Sequence, residues 1–170
     1  EQVEAAINPP EFYHSPLTSL LCVENTTNKG GGACYDIEVL KQIKQVCDKH
    51  GLKYHLDGAR LWNALVAKKQ HPKQFGALFD TISVCLSKGL GAPVGSVLLG
   101  DKETMNRALR IRKILGGGMR QAGYLAAAGL YALRSNVGRL ENDHKRAKEL
   151  GEILKQKPWV VTVEPVETNI

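Results

Sequence analysis

Two residues of this chain have the type and setting for covalent chemistry on a carbonyl compound. Lys88 lies in Asp80-Thr81-Ile82-Ser83-Val84-Cys85-Leu86-Ser87-Lys88-Gly89-Leu90-Gly91-Ala92-Pro93-Val94-Gly95-Ser96, where an apolar strand-like run, Ile82 to Leu86, hands over to a glycine-rich turn. A lysine kept neutral by burial or nearby charge forms Schiff bases. Asp57 lies in Tyr54-His55-Leu56-Asp57-Gly58-Ala59-Arg60, a carboxylate at the end of another short apolar strand. Ligands of open α/β sheets collect at the carboxyl ends of the strands, and Asn25, Asp57 and Ser87-Lys88 all fall there. A strand-end aspartate and a later strand-end lysine together suggest pyridoxal phosphate: the aspartate would pair with the pyridinium nitrogen and keep the ring an electron sink.

Each residue also has a plainer reading. Asp57 could only cap the helix expected from Ala59. Arg60, three residues on, could be a salt bridge to Asp57 or a fork for a carboxylate or a cofactor oxygen. Lys88 could close a turn. Lys113 and Arg120 flank Gly116-Gly117-Gly118, which is either a phosphate site of free backbone N–H groups or a flexible interhelical turn. The glycines at 30–32 do not have Gly-x-Gly-x-x-Gly spacing, so they carry little nucleotide signal. His14, His50, His55, His71 and His144 lack metal-ligand spacing; His55 reads as a packed residue.

The elements that must position these groups alternate. Residues 8–19 hold three prolines and read as a loop. Leu20 to Glu24 reads as a buried strand, residues 25–35 as a glycine-rich loop, and Asp36 as the N-cap of a helix with Ile37, Leu40, Ile43 and Cys47 at helical spacing. Gly51 ends it. Leu52–Leu56 is the next strand, Ala59–Ala67 a short helix, and Pro72–Ala77 a connector. Asp80–Leu86 and Gly95–Leu99 are strands joined too tightly for a helical crossover, so the second is expected to run antiparallel or to lie beyond a tight turn. Helices follow from Asp101 to about Leu115, over 119–134 (apolar stripe Ala122, Leu125, Ala126, Gly129, Leu130, Leu133), and on Leu140, Ala147, Leu150 and Leu154, ended by Pro158. Val160–Val163 reads as a strand. Strand–helix–strand order predicts a three-layer α/β fold with a mainly parallel sheet and helices on both faces.

The sequence has 170 residues, 43% hydrophobic and 24% charged, within the ordinary range of globular domains. No apolar run reaches the roughly 20 residues of a membrane span, and the acidic, mixed N-terminus is unlike a signal peptide. Cys22, Cys34, Cys47 and Cys85 form no Cys-x-x-Cys and read as buried free thiols, which favours the cytoplasm. The net charge of +6 is spread over helices that also carry acids; only Arg107-Ala108-Leu109-Arg110-Ile111-Arg112-Lys113 is dense enough to suggest a basic nucleic-acid-binding module instead of an enzyme. Glu1 opens without a methionine, and the terminal strand lacks a partner, so a central segment of a longer protein is expected.

Three motifs in order, His55-Leu56-Asp57-Gly58-Ala59-Arg60-Leu61-Trp62-Asn63-Ala64, Cys85 to Ser96, and Arg112-Lys113-Ile114-Leu115-Gly116-Gly117-Gly118-Met119-Arg120-Gln121-Ala122-Gly123, resemble the low-specificity threonine aldolases of the fold-type-I pyridoxal phosphate enzymes, grouped with β-eliminating lyases. The resemblance runs from about Leu20 to Ile170. It implies that Lys88 holds the cofactor as a Schiff base, with Ser87 beside it. It also implies that Asp57 pairs with the ring nitrogen and that Arg60 contacts the cofactor and the substrate α-carboxylate. Lys113 and Arg120 would lie near the cofactor, partly across a dimer interface. Asn25 and Thr27, in Glu24-Asn25-Thr26-Thr27-Asn28, would meet the substrate side chain. The expected activity is cleavage of a β-hydroxy-α-amino acid such as threonine to glycine and an aldehyde by a homodimer or homotetramer, with no metal, nucleic acid or membrane partner. Residues 1–135 would belong to the large cofactor-binding domain, and 136–170 to the connecting helix and first strand of a small domain. The segment alone is expected to be inactive, because the family's phosphate cup, ring-stacking histidine and distal arginine lie outside it. One position departs from the family: a histidine commonly stands where this chain has Thr27. Threonine is a poor base at neutral pH, which keeps a related β-eliminating lyase as the alternative.

Overall fold

The computed structural model describes residues 1–170. Four strands form one sheet: β1 (Leu20–Glu24), β2 (Lys53–Gly58), β3 (Thr81–Cys85) and β4 (Ser96–Gly100), in spatial order β1-β2-β3-β4. The first three are parallel, and β4 returns antiparallel to β3. Glu24 pairs with Asp57 and Asp57 with Ser83, so the carboxyl ends of the three parallel strands line up.

Period-2 alternation decides the faces. Tyr54 and Leu56 of β2, and Ile82 and Val84 of β3, are buried on one face. There they pack with Leu40 and Cys47 of α2 (Ile37–His50) and Leu61 and Leu65 of α3 (Leu61–Lys68) in a cluster of 12 buried residues. On the other face, Lys53 and Thr81 line a groove with Leu98 and with Thr104, Ala108 and Ile111 of α5 (Lys102–Ile114). Helices thus cover both faces of a mainly parallel sheet, the α/β arrangement expected. A second buried cluster joins Leu90 and Ala92, after β3, to Ala132 of α6 (Gly123–Ser135) and Leu140 of α7 (Leu140–Lys155).

Several local expectations change. β1 is a sheet edge, and of its residues only Val23 is buried. Asp36 occupies the α2 N-cap position without a capping bond; its carboxylate pairs with Lys68 at 3.4 Å instead. Pro72–Gly76 is a helix, α4, not a connector, because His71 and Gln74 close a capping box around Pro72. α6 starts at Gly123, after Gln121 with φ 53°, and not at 119; of its stripe only Gly129 is buried, against Leu86, while Leu130 is exposed. α7 buries Leu140, His144 and Gly151 in place of Leu150 and Leu154. Val160–Val163 forms no strand: no neighbouring strand offers it a ladder. The tail instead crosses back to the 25–35 loop, where Thr168 donates to the Gly32 carbonyl at 3.1 Å and Glu167 pairs with Lys68 at 2.9 Å. All four cysteines are free, but only Cys47 is buried; Cys22 on the edge strand is exposed. No helix is long and apolar enough to cross a membrane.

Candidate active site

Parallel pairing puts the ends of β1, β2 and β3 side by side, and with them Asn25, Asp57 and the Ser87-Lys88 turn. Asp57 is half-buried. Its Oδ1 accepts from the Ala59 N–H at 3.0 Å, and its carbonyl accepts from the Asn25 N–H at 3.0 Å. The side-chain bond is a local Asx-type turn and not a helix cap, since α3 begins one residue beyond Arg60 and its N-cap position belongs to Arg60, with φ −133°. Asp57 Oδ2 accepts no hydrogen bond. Arg60 is half-buried and forms no ion pair with Asp57, so the plainer reading of that pair does not hold.

Lys88 is exposed and free of ion pairs. Its carbonyl accepts from the Gly91 N–H at 2.9 Å, in a turn that Gly91 completes with φ 73°. The base of the loop is closed by Leu86 N–H to Gly95 O at 3.0 Å and Ala92 N–H to Leu86 O at 3.1 Å. Ser87 is exposed, with Oγ 3.5 Å from Cys85 Sγ. At the end of β1, Asn25 and Thr26 are fully buried. Asn25 Oδ1 accepts from the Tyr35 N–H at 3.4 Å, whereas Asn25 Nδ2 and Thr26 Oγ1 have no partner. Buried polar atoms without partners are uncommon in folded proteins. Two bonds set Thr27 in its loop: Thr27 N–H to Ala33 O at 3.1 Å and Gly32 N–H to Thr27 O at 2.9 Å. Its Oγ1 lies where a side chain on Gly30 would stand.

Lys113 and Arg120 are not brought to this group. Lys113 lies in the last turn of α5 and Arg120 in the bend after the three glycines; both are exposed, and neither bonds to Asp57, Arg60 or Lys88. His55 bonds Thr81 Oγ1 at 2.7 Å, as a packed residue. The sequence assigns no role to Asn63, Asn136, Arg139 or His144, although Asn63 lies within the first motif, yet all four surround the Lys88 turn and α3. For His144 a signal existed, its place one turn after Leu140 on the apolar side of α7; for Asn136, in an interhelical turn, none did. No group of three or more His, Cys, Asp or Glu side chains is arranged to hold a metal.

A mainly parallel sheet with a carboxylate, a guanidinium and an amine at adjacent carboxyl ends defines an α/β site of the kind that binds a ligand across its strand ends. The family described as β-eliminating lyase matches residues 1–170, and the chain belongs to it. It is 47% identical over 174 residues to the low-specificity L-threonine aldolase 1 of Arabidopsis thaliana, covering 100% of this chain and 48% of that protein. It is 46% identical over 147 residues to the low specificity L-threonine aldolase of Escherichia coli strain K12, covering 86% of this chain and 43% of that protein. Among solved structures, a candidate L-allo-threonine aldolase from Listeria monocytogenes superposes with a TM-score of 0.82 at 28% identity, over 91% of this chain and 43% of that one. The chain spans about half the length of the curated relatives it matches.

Proposed function

We propose that the protein containing this chain is a pyridoxal phosphate-dependent carbon–carbon lyase that cleaves β-hydroxy-α-amino acids such as threonine to glycine and an aldehyde. The observation that carries the reading is the pair at neighbouring strand ends: Asp57 with an unbonded Oδ2, and Lys88 with Nζ free of ion pairs. These groups fit the cofactor. A half-buried carboxylate oxygen with no partner suits a pyridinium N–H, and an unpaired lysine amine suits the aldehyde carbon.

Bound pyridoxal phosphate supplies an electron-withdrawing ring that takes up the electron pair released when a bond to Cα breaks. Asp57 would hold the ring nitrogen protonated through Oδ2, while Oδ1 stays on Ala59. Arg60, with no carboxylate of its own to satisfy, would grip the substrate carboxylate bidentately and turn the Cα–Cβ bond out of the ring plane. Lys88 Nζ would hold the cofactor and, when not bonded to it, would hold or return a proton. Ser87 would border the cofactor beside it. Lys113 and Arg120 would complete the phosphate and carboxylate environment from a second subunit; exposed Leu109, Ile114, Leu115, Met119 and Tyr124 around them support a homodimer or homotetramer. Four free thiols support a cytoplasmic setting.

Asn25 and Thr27 would face the substrate side chain. The Thr27 hydroxyl would hydrogen-bond the β-hydroxyl but is a poor base, and this favours a second reading, a β-eliminating amino-acid lyase on the same scaffold. The test is product analysis. Full-length protein with pyridoxal phosphate and threonine yields glycine and acetaldehyde in equal amounts on the first reading, and ammonia with a 2-oxo acid on the second. Neither pair of products from cofactor-loaded protein rejects both.

A further inference from the structure

The turn that follows Lys88 is gripped from outside the sheet. Two side chains at the α6–α7 junction donate to its carbonyls: Asn136 Nδ2 to Leu90 O at 2.7 Å and Arg139 Nη2 to Gly89 O at 2.8 Å. Arg139 is steadied by Asp143 one helical turn on, with Nη1 3.7 Å from Oδ1. The approach is close: a Cβ on Gly89 would stand 2.8 Å from Leu140 Cδ2 and 3.4 Å from Asn63 Oδ1. Leu90 and Leu140 are buried in one cluster. Asn63, on the helix that starts after Arg60, pairs with His144 of α7 at 3.1 Å, and both are buried. One helix, α7, therefore touches both the backbone after Lys88 and the helix after Arg60.

We propose that Asn136 and Arg139 are positioning residues for Lys88, fixing the path of the Gly89-Leu90 backbone and so the placement of the lysine relative to Asp57 and Arg60. The inference rests on the proposed function and deepens it. Gly89 and Gly91 allow the turn other backbone paths, and its main-chain bonds, Gly91 N–H to Lys88 O within it and two at its base, leave the Gly89 and Leu90 carbonyls without a main-chain partner. The two carbonyl anchors remove that freedom, and the one from a guanidinium is charge-assisted and stronger than a neutral bond. Misplacing a reacting group by about 1 Å costs on the order of 10²-fold in rate.

The experiment uses full-length protein loaded with pyridoxal phosphate. It compares Arg139→Ala, the double variant Asn136→Ala/Arg139→Ala, the conservative Arg139→Lys, and Arg146→Ala as a control on an exposed α7 residue with no ion pair. Arg139 has a side chain 47% exposed and lies outside both buried clusters, so its truncation removes no core residue. The readouts are kcat and KM for threonine, the pH midpoint of the visible absorption of the lysine-bound cofactor, and Tm. In the double variant kcat should fall about 10- to 100-fold with KM within about twofold, and the pH midpoint should move. Arg139→Lys, which keeps a cationic donor, should recover most of the rate, and Arg146→Ala should match the parent. Parental kcat and midpoint in the double variant overturn the proposal. So does a loss of activity that follows a lowered Tm with the midpoint unchanged, because that is the mark of a merely structural role. If the parent protein takes up no pyridoxal phosphate, the proposed function itself fails, and this inference falls with it.

Discussion

Asn25 and Asp57 are joined through their backbones. The Asn25 N–H donates to the Asp57 carbonyl at 3.0 Å, one step past the paired Glu24 and Asp57, so the loop bearing Thr27 leaves the sheet at the level of the carboxylate. Asp57 thus makes two separate bonds: its carbonyl continues the ladder and Oδ1 closes a turn on Ala59, while Oδ2, the oxygen proposed to face the cofactor, accepts none. Asp57→Asn retains both bonds and removes the charge. The expected result is a fall in kcat of about 10²–10³-fold with Tm within about 2–4 °C of the parent. A variant of unchanged kcat would remove Asp57 from the chemistry.

Gly30 makes room for Thr27. Any Cβ at Gly30 would overlap Thr27 Oγ1 and stand 3.2 Å from Thr27 Cβ, so the hydroxyl would have to rotate out of its present position. Gly30→Ala should destabilise by about 1–3 kcal/mol, as overpacking does, and raise KM for threonine more than it lowers kcat. Thermal melts and steady-state kinetics decide it; a parental KM would mean that the Thr27 loop does not meet the substrate.

His144 is held neutral. Burial pushes its imidazole below the ordinary value, against the opposing pull of Asp143 and Glu141 on the same helix; Lys148 adds to the lowering. Its ring faces Asn63 of α3. A histidine with a lowered native pKa contributes stability that is complete above the unfolded value, about 6.5. As pH falls below that, the unfolded chain binds the proton first, and stability is lost down through the native pKa. His144→Gln should therefore flatten the dependence of Tm on pH between about 7 and 5. Parallel curves for the two proteins would show that His144 does not titrate between the native and unfolded states.

Tyr54 is fully buried with a hydroxyl that has no partner, and burial pushes its phenol far above the ordinary value. Removing a buried group that makes no hydrogen bond relieves a desolvation penalty. Tyr54→Phe should leave stability unchanged or raise it by up to about 1 kcal/mol. A denaturant midpoint lowered by more than that amount would reveal a bond to this hydroxyl.

The strand–helix–strand succession, the antiparallel return of β4 and the strand-end placement of Asp57 and Lys88 were legible in the sequence, because β2 and β3 are short apolar runs, one ending at Gly58 and the other followed by the glycines of the Lys88 turn. What misled was apolar periodicity on α6 and α7: Leu130 and Leu150 continue their stripes yet stay exposed, since Gly129 and Gly151 are the close-contact residues and a glycine adds nothing to a hydrophobic pattern. Val160–Val163 has strand composition, but a strand forms only with a partner. The grip on Gly89 and Leu90 was invisible for a different reason: it joins side chains to backbone carbonyls far along the chain, and a carbonyl has no letter in a sequence.

Lys88 is the residue proposed to bind pyridoxal phosphate covalently. Borohydride reduction of full-length protein incubated with pyridoxal phosphate, followed by peptide mass mapping, tests it directly. One reduced pyridoxyl group is expected, on the peptide containing Lys88, and it should be lost in Lys88→Arg. A label on another lysine, or no label on Lys88, would contradict it.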